Sequence, residues 1–160
     1  MLLSKIGNRL EGLIMLLLIV ITCVLIVVGS AQVFFRYVVD YSLFWSEELM
    51  RYLFVWLVML GIGVGVRHKV HVAVDALNHV LNAKCQRWAD IFICLLGLTL
   101  FVVLTWLGYQ LAMKYMHQLS PAIRLPMGVV YLSIPLGSFL SCFFYIEQIV
   151  LLACQRKVSS

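Results

Sequence analysis

Four long stretches without a charged residue constrain the fold of this chain more than any other feature. They run from Gly12 to Phe35, Tyr52 to Val66, Ile91 to Met113 and Leu125 to Ile146. A transmembrane helix needs roughly 20 predominantly apolar residues. Because 64% of the 160 residues are hydrophobic, a soluble domain of this size cannot bury the apolar surface. We therefore expect an all-α integral membrane protein with four transmembrane helices.

The spans are predicted at about 12–35, 43–66, 91–113 and 125–147, within a single membrane domain covering residues 1–160. The second uncharged stretch is short, and the preceding residues FWSEELMR extend it to a helix that begins near Leu43. Gly29, Ser30 and Ala31 resemble a signal-peptide cleavage site. The uncharged stretch is longer than the roughly 7–15 residues of a signal core, so we interpret it as an uncleaved span.

Lysine and arginine residues predict the orientation. With the N-terminus inside, eight lie on the cytoplasmic side: Lys5, Arg9, Arg67, Lys69, Lys84, Arg87, Arg156 and Lys157. Four lie outside: Arg36, Arg51, Lys114 and Arg124. Cytoplasmic loops carry an excess of basic residues, so both termini are expected in the cytoplasm.

The connection between the second and third spans has helical periodicity. Apolar residues recur at Val70, Val74, Leu77 and Leu81, and polar residues lie between them. This pattern predicts a short amphipathic helix along the cytoplasmic interface. A simple polar loop is the alternative.

Pro135 falls inside the fourth span. A proline at this depth frees a carbonyl one turn earlier and bends the helix. We expect Ser133 or a neighbouring helix to satisfy the exposed backbone group.

The chain lacks the motifs of the common enzyme classes, with no P-loop, G-x-S-x-G, H-E-x-x-H or glycine-rich dinucleotide turn. His68, His71 and Asp75 are spaced for a metal on one helix face, but a solvated interfacial cluster is the better interpretation. Haem ligands project into a bundle interior, whereas all four histidines lie outside the apolar stretches. The five cysteines have no C-x-x-C spacing and are interpreted as buried hydrophobic residues. We expect no catalytic residue, metal site or cofactor in this chain.

The interiors of the four stretches also lack charge. Proton relays, ion paths and anionic substrate sites in membranes normally include an ionisable residue at depth. The chain alone is therefore a poor candidate for a complete transport pathway.

Small residues instead offer packing surfaces on two spans. Gly61 and Gly65 form a GxxxG pair, and Ser133, Gly137 and Ser141 recur every four residues. Such residues allow close approach of helix backbones. Packing within this chain and docking onto another membrane subunit both remain open.

A group of polar and aromatic residues lies at the opposite, non-cytoplasmic side. Their spacing permits ion pairs from Glu47 or Glu48 to Arg51. An interfacial anchor and a contact with a partner protein are both compatible with the group. The candidate interface residues are Arg36, Asp40, Trp45, Glu47, Glu48, Arg51, Lys114 and Arg124.

The stretch FWSEELMRYLFVWLVMLGIGVGVRHKVHVAVDAL resembles the small membrane subunit of tripartite ATP-independent periplasmic (TRAP) transporters. The residues carrying this resemblance are Trp45, Glu47, Glu48, Arg51, Tyr52, Trp56, Gly61, Arg67, His71 and Asp75. The last three of these positions form a cytoplasmic motif. A second segment, SPAIRLPMGVVYLSIPLGS, is similar to the last-helix region of the family. Lys69 departs from the pattern, because many relatives carry a small residue there.

This resemblance implies a bacterial inner-membrane importer in which a periplasmic binding protein delivers an organic acid to two membrane subunits. The organic acid would be a sialic acid, a C4-dicarboxylate or a sugar acid. The large permease subunit would hold the sodium and substrate sites, and this chain would be a non-enzymatic scaffold in the lipid bilayer. Two alternatives are a membrane anchor or assembly subunit of another complex and a membrane-bound redox subunit.

Overall fold

The computed structural model describes residues 2–41, 43–68 and 83–155. Its helices are α1 (Leu2–Val38), α2 (Phe44–Arg67), α3 (Ala83–Lys114), α4 (Met127–Tyr131) and α5 (Ser133–Gln155). Four segments are long and apolar enough to cross a membrane, with α4 and α5 forming one of them. In the described ranges the β-structure is one isolated bridge between Leu119 and Pro126. These observations confirm the predicted all-α membrane architecture.

The last helix occupies the centre of the bundle. α5 packs against both α2 and α3, whereas α1 packs mainly on α2. The apolar core is formed by side chains at most 9% exposed, among them Leu60, Val64, Phe101, Phe144 and Tyr145. Because α1 borders so few helices, most of its apolar side chains face outward. Cys23 is one of them, so its predicted burial is wrong within this chain.

The fourth span is interrupted close to the predicted bend. α4 ends at Tyr131 and α5 begins at Ser133. The Ser133 hydroxyl donates a hydrogen bond to the carbonyl of Val130 at 2.7 Å. Pro135 withholds its donor from a different carbonyl, that of Tyr131 one turn earlier, so the predicted satisfaction of that group by Ser133 stays a prediction.

Glycine placement separates the two predicted packing motifs. A Cβ atom on Gly137 would lie 2.5 Å from the carbonyl oxygen of Met59, so α2 and α5 cross here in backbone contact. Ser141 is fully buried and donates to the Gly137 carbonyl at 2.9 Å. Gly61 and Gly65 differ, because no described neighbouring helix comes within 4 Å of a Cβ placed there.

The fold brings the charged side chains of the described residues to two opposite ends. We call the first the Glu48 end; it contains the start of α2, the ends of α1 and α3, and the loop of residues 115–126. The second is the Arg67 end, where α2 and α5 finish and α1 and α3 begin. The Glu48 end is the one predicted to face the periplasm, and this orientation stays a prediction. Residues 69–82 lie outside the described residues, so the predicted amphipathic helix, His71 and Asp75 also stay predictions.

Candidate functional site

The buried carboxylate of Glu48 fastens the loop between α3 and α4. Its Oε2 atom accepts hydrogen bonds from the backbone N–H groups of Ala122 at 2.9 Å and Ile123 at 3.0 Å. The other oxygen accepts a hydrogen bond from the hydroxyl of Tyr52, one helical turn later. Glu48 is 9% exposed, and these donors compensate for the loss of hydration.

Hydrogen bonds within the loop complete its shape. Two hydrogen bonds join Ser120 and Leu125. The N–H of Ser120 donates to the carbonyl of Leu125 at 2.9 Å, and the N–H of Leu125 donates to the hydroxyl of Ser120 at 3.2 Å. The N–H of Met127 donates to the carbonyl of Gln118 at 2.8 Å. Between these contacts Arg124 is exposed and has a φ of 57°, which is uncommon for a residue with a side chain. The loop therefore holds a cation outward on a fixed backbone.

The eight predicted interface residues all belong to this end, but they divide by exposure. Glu48 is buried and forms hydrogen bonds within the chain. The other seven residues are exposed: Arg36, Asp40, Trp45, Glu47, Arg51, Lys114 and Arg124. Glu47 Oε1 accepts a hydrogen bond from the side-chain amide of Gln32 at 3.2 Å, which links α2 to α1. Neither permitted ion pair forms, because Arg51 has no carboxylate of a described residue within 4.0 Å.

A cavity of about 490 Å³ opens beside these charges. Its walls come from the first turns of α2, the fastened loop and α4. Glu47, Glu48 and Arg51 supply its charged groups, and Val55 and Val130 belong to its apolar lining. The loop fastened by Glu48 thus forms one wall of a cavity of mixed polarity.

At the Arg67 end, one guanidinium joins three helices. Arg67 of α2 forms an ion pair with Glu11 of α1 and hydrogen-bonds the side chain of Asn8 at 2.5 Å. Its Nε atom lies 3.4 Å from a carboxylate oxygen of Glu147 in α5. His68 Nε2 lies 2.5 Å from the second oxygen of Glu11.

Packing around this ion cluster is close. The Glu147 side chain is 6% exposed and that of Arg67 is 13% exposed. A Cβ atom on Gly7 would lie 2.7 Å from Glu147, so α1 approaches the pair only because this residue lacks a side chain. Gln148 donates from its amide to the carbonyl of Val66.

Sequence reasoning assigned Arg67 to a cytoplasmic motif but did not identify Glu11 or Glu147 as its partners. The available signal was that all three flank spans on the same predicted side of the membrane. Close packing through small residues was predicted on α2 and α5, whereas the structure also has it at Gly7 on α1. In the described ranges, no group of three or more His, Cys, Asp or Glu residues is arranged to hold a metal.

Comparison with known proteins places this geometry in a family. The family model "Tripartite ATP-independent periplasmic transporters, DctQ component" matches residues 25–155. The chain is 40% identical over 112 residues to the C4-dicarboxylate TRAP transporter small permease protein DctQ of Rhodobacter capsulatus, covering 66% of this chain and 48% of that protein. It therefore spans about half the length of that relative.

Two relatives named for sialic acid TRAP transporters align with different shares of this chain. The small permease protein SiaQ of Vibrio cholerae is 24% identical over 92% of this chain and 83% of its own length. The permease protein SiaT of Haemophilus influenzae is 42% identical over 41% of this chain and 11% of its own length. With four spans and a family match over most of its length, the chain is an inner-membrane protein that belongs to the DctQ-type small permease subunits of TRAP transporters.

Proposed function

We propose that this chain braces a large permease subunit, and that the two subunits, together with a periplasmic substrate-binding protein, import an organic acid by a process driven by a sodium gradient. The observation that carries this proposal is the placement of charge. Charged side chains of the described residues lie at the two ends, and the middle of each span has none. Because ion and substrate paths normally need polar groups at depth, sodium and substrate binding are assigned to the partner.

The transported compound is proposed by class only. The relatives above are named for C4-dicarboxylates and sialic acid, and sugar acids share the carboxylate that defines the class. The proposed small subunit has no catalytic role and no cofactor of its own.

The first experiment deletes the gene for this chain in its native host and measures uptake. Deletion is expected to abolish sodium-dependent organic acid uptake, and the wild-type chain supplied in trans should restore it. Affinity purification of the tagged chain in mild detergent should recover a large multispan permease. Unchanged uptake after deletion, or recovery of enzyme subunits instead, would contradict the proposal and favour a membrane anchor.

The open face of α2 is the proposed contact with the large subunit. Gly61 and Gly65 lie there without a described neighbour, and the nearby side chain of Ile62 is 38% exposed. Leucine at Gly61 or Gly65 should lower recovery of the large permease by blocking close helix approach. Gly12→Leu is the matched control, because Gly12 is equally open but lies on α1. Equal recovery from all three variants would remove this face from consideration.

The exposed cations of the Glu48 end are the proposed contact with the binding protein. Arg36→Glu and Arg124→Glu should slow uptake while leaving recovery of the large permease unchanged, because rim charges mainly affect encounter rates. Arg9→Glu makes the same charge change at the Arg67 end, where Arg9 is exposed. If Arg9→Glu slows uptake as much as the other two, net charge rather than a docking surface is responsible.

A further inference from the structure

Arg51 stands at the cavity of the Glu48 end without a carboxylate partner among the described residues. Glu47 is one helical turn earlier, and residues so spaced have Cβ atoms about 5–6 Å apart. Gln32 holds the Glu47 carboxylate by one oxygen, and Glu48 is occupied by the loop. One cation and one anion are therefore presented side by side to a ligand.

The depth of the cavity restricts what can fill it. It is bounded by the first turns of α2, a helix long and apolar enough to cross the membrane. Groups at the end of such a span lie at the level of lipid headgroups. The cavity has an apolar lining of Val55, Met127 and Val130, which suits hydrocarbon below a polar headgroup.

The adjoining outer strip of α2 is also apolar. Phe54 is 58% exposed and Val58 is 36% exposed, and they follow Arg51 at helical spacings of three and seven residues. This strip leads from the guanidinium toward the middle of the span. Its first part offers an acyl chain a path beside the charged groups, before the same face reaches Gly61 and Gly65, the proposed contact with the large subunit.

From this arrangement we propose that the cavity binds one phospholipid with an amine-bearing headgroup, such as phosphatidylethanolamine. Its phosphate bonds Arg51, because a guanidinium presents paired donors to phosphate oxygens. Its ammonium, separated from the phosphate by an ethylene spacer, bonds Glu47. Occupancy requires only this chain and a bilayer, so the site does not depend on the transported substrate.

The test uses the full-length chain with its co-purifying subunits, delipidated in mild detergent and titrated with dioleoylphosphatidylethanolamine. Native mass spectrometry counts the bound lipid. Arg51→Gln should weaken binding about tenfold, as expected for one charge-assisted hydrogen-bonding contact. Arg36→Gln is the matched control, since Arg36 is an exposed arginine of the same end that does not line the cavity.

The variant Glu47→Gln tests recognition of the ammonium group separately from recognition of the phosphate. The wild type should prefer phosphatidylethanolamine to phosphatidylglycerol, and this variant should lose the preference. If Arg51→Gln and Arg36→Gln weaken lipid binding equally, the bound lipid is nonspecific and the proposal is overturned. Displacement of the lipid by soluble phosphoethanolamine at equal concentration would also overturn it, as would a cavity that accepts lipid only after the large subunit is removed.

Discussion

At the Glu48 end a buried carboxylate is held by backbone N–H groups of a loop, whereas at the Arg67 end a buried carboxylate is held by the side chain of another helix. The first arrangement fixes a loop, and the second fixes the relative positions of α1, α2 and α5. Backbone donors remain in place when side chains change, while a guanidinium is lost with one substitution. The two ends should therefore respond very differently to mutation.

The largest expected effect is at Arg67. Arg67→Met leaves Glu147 buried without its cation, which is expected to destabilise the protein by about 3–5 kcal/mol. Thermal unfolding of the purified protein in detergent measures this change. The double variant Arg67→Met with Glu147→Leu should regain most of the loss, because an apolar pair replaces the buried ions. A double variant as unstable as the single one would show that the ion pair itself is required.

Gly137 lies in the bundle between the two ends. Substitution there measures how much the close contact between α2 and α5 contributes to the stability of the protein. Gly137→Ala places a Cβ 2.5 Å from a backbone carbonyl of α2, so α2 and α5 must separate at a cost of about 1–3 kcal/mol. Unfolding in detergent again provides the measurement. Gly61→Ala is the control and should change the stability of the isolated chain little, since no described helix faces it. Equal effects at both positions would contradict the described crossing.

At the Glu48 end, Glu48→Gln keeps the shape of the side chain but weakens its two hydrogen bonds to the loop. We expect a modest loss of stability, concentrated in the loop, because each hydrogen bond contributes only a small net free energy. Hydrogen–deuterium exchange should accelerate at the amides of Ala122 and Ile123. Glu47→Gln, at the exposed neighbouring carboxylate, should leave this exchange unchanged. Accelerated exchange throughout α2 would instead show that Glu48 holds the bundle together, as Arg67 does.

The smallest expected effect is at His68. This side chain is 54% exposed although it contacts Glu11, and exposed ion pairs contribute only about 0–1 kcal/mol. His68→Gln should therefore shift thermal unfolding far less than Arg67→Met does. A comparable shift from both variants would mean that the whole cluster acts as a unit rather than through Arg67.

The fold was largely predictable because each span is marked in the sequence by a long stretch without charged residues. The break near Pro135 was also predictable, since proline removes a specific backbone donor. For the GxxxG pair, spacing alone could not decide between contact within the chain and an open surface. That choice depends on how α2 is rotated about its axis, which the packing of α5 settles: Gly63 faces Ser141, while Gly61 and Gly65 face away.

The membrane class, the four spans, the segregation of charge to their ends and the resemblance to the family could all be predicted from the amino-acid sequence. Each of these follows from the order of residues along one segment. The partners of Glu48 and Arg67, in contrast, follow from how the helices pack. Helical spacing reveals neighbours three or four residues away, but the loop amides bonded by Glu48 are 74 and 75 residues distant, and Glu147 is 80 residues from Arg67. Only the packing of α5 between α2 and α3 brings such distant groups within bonding distance.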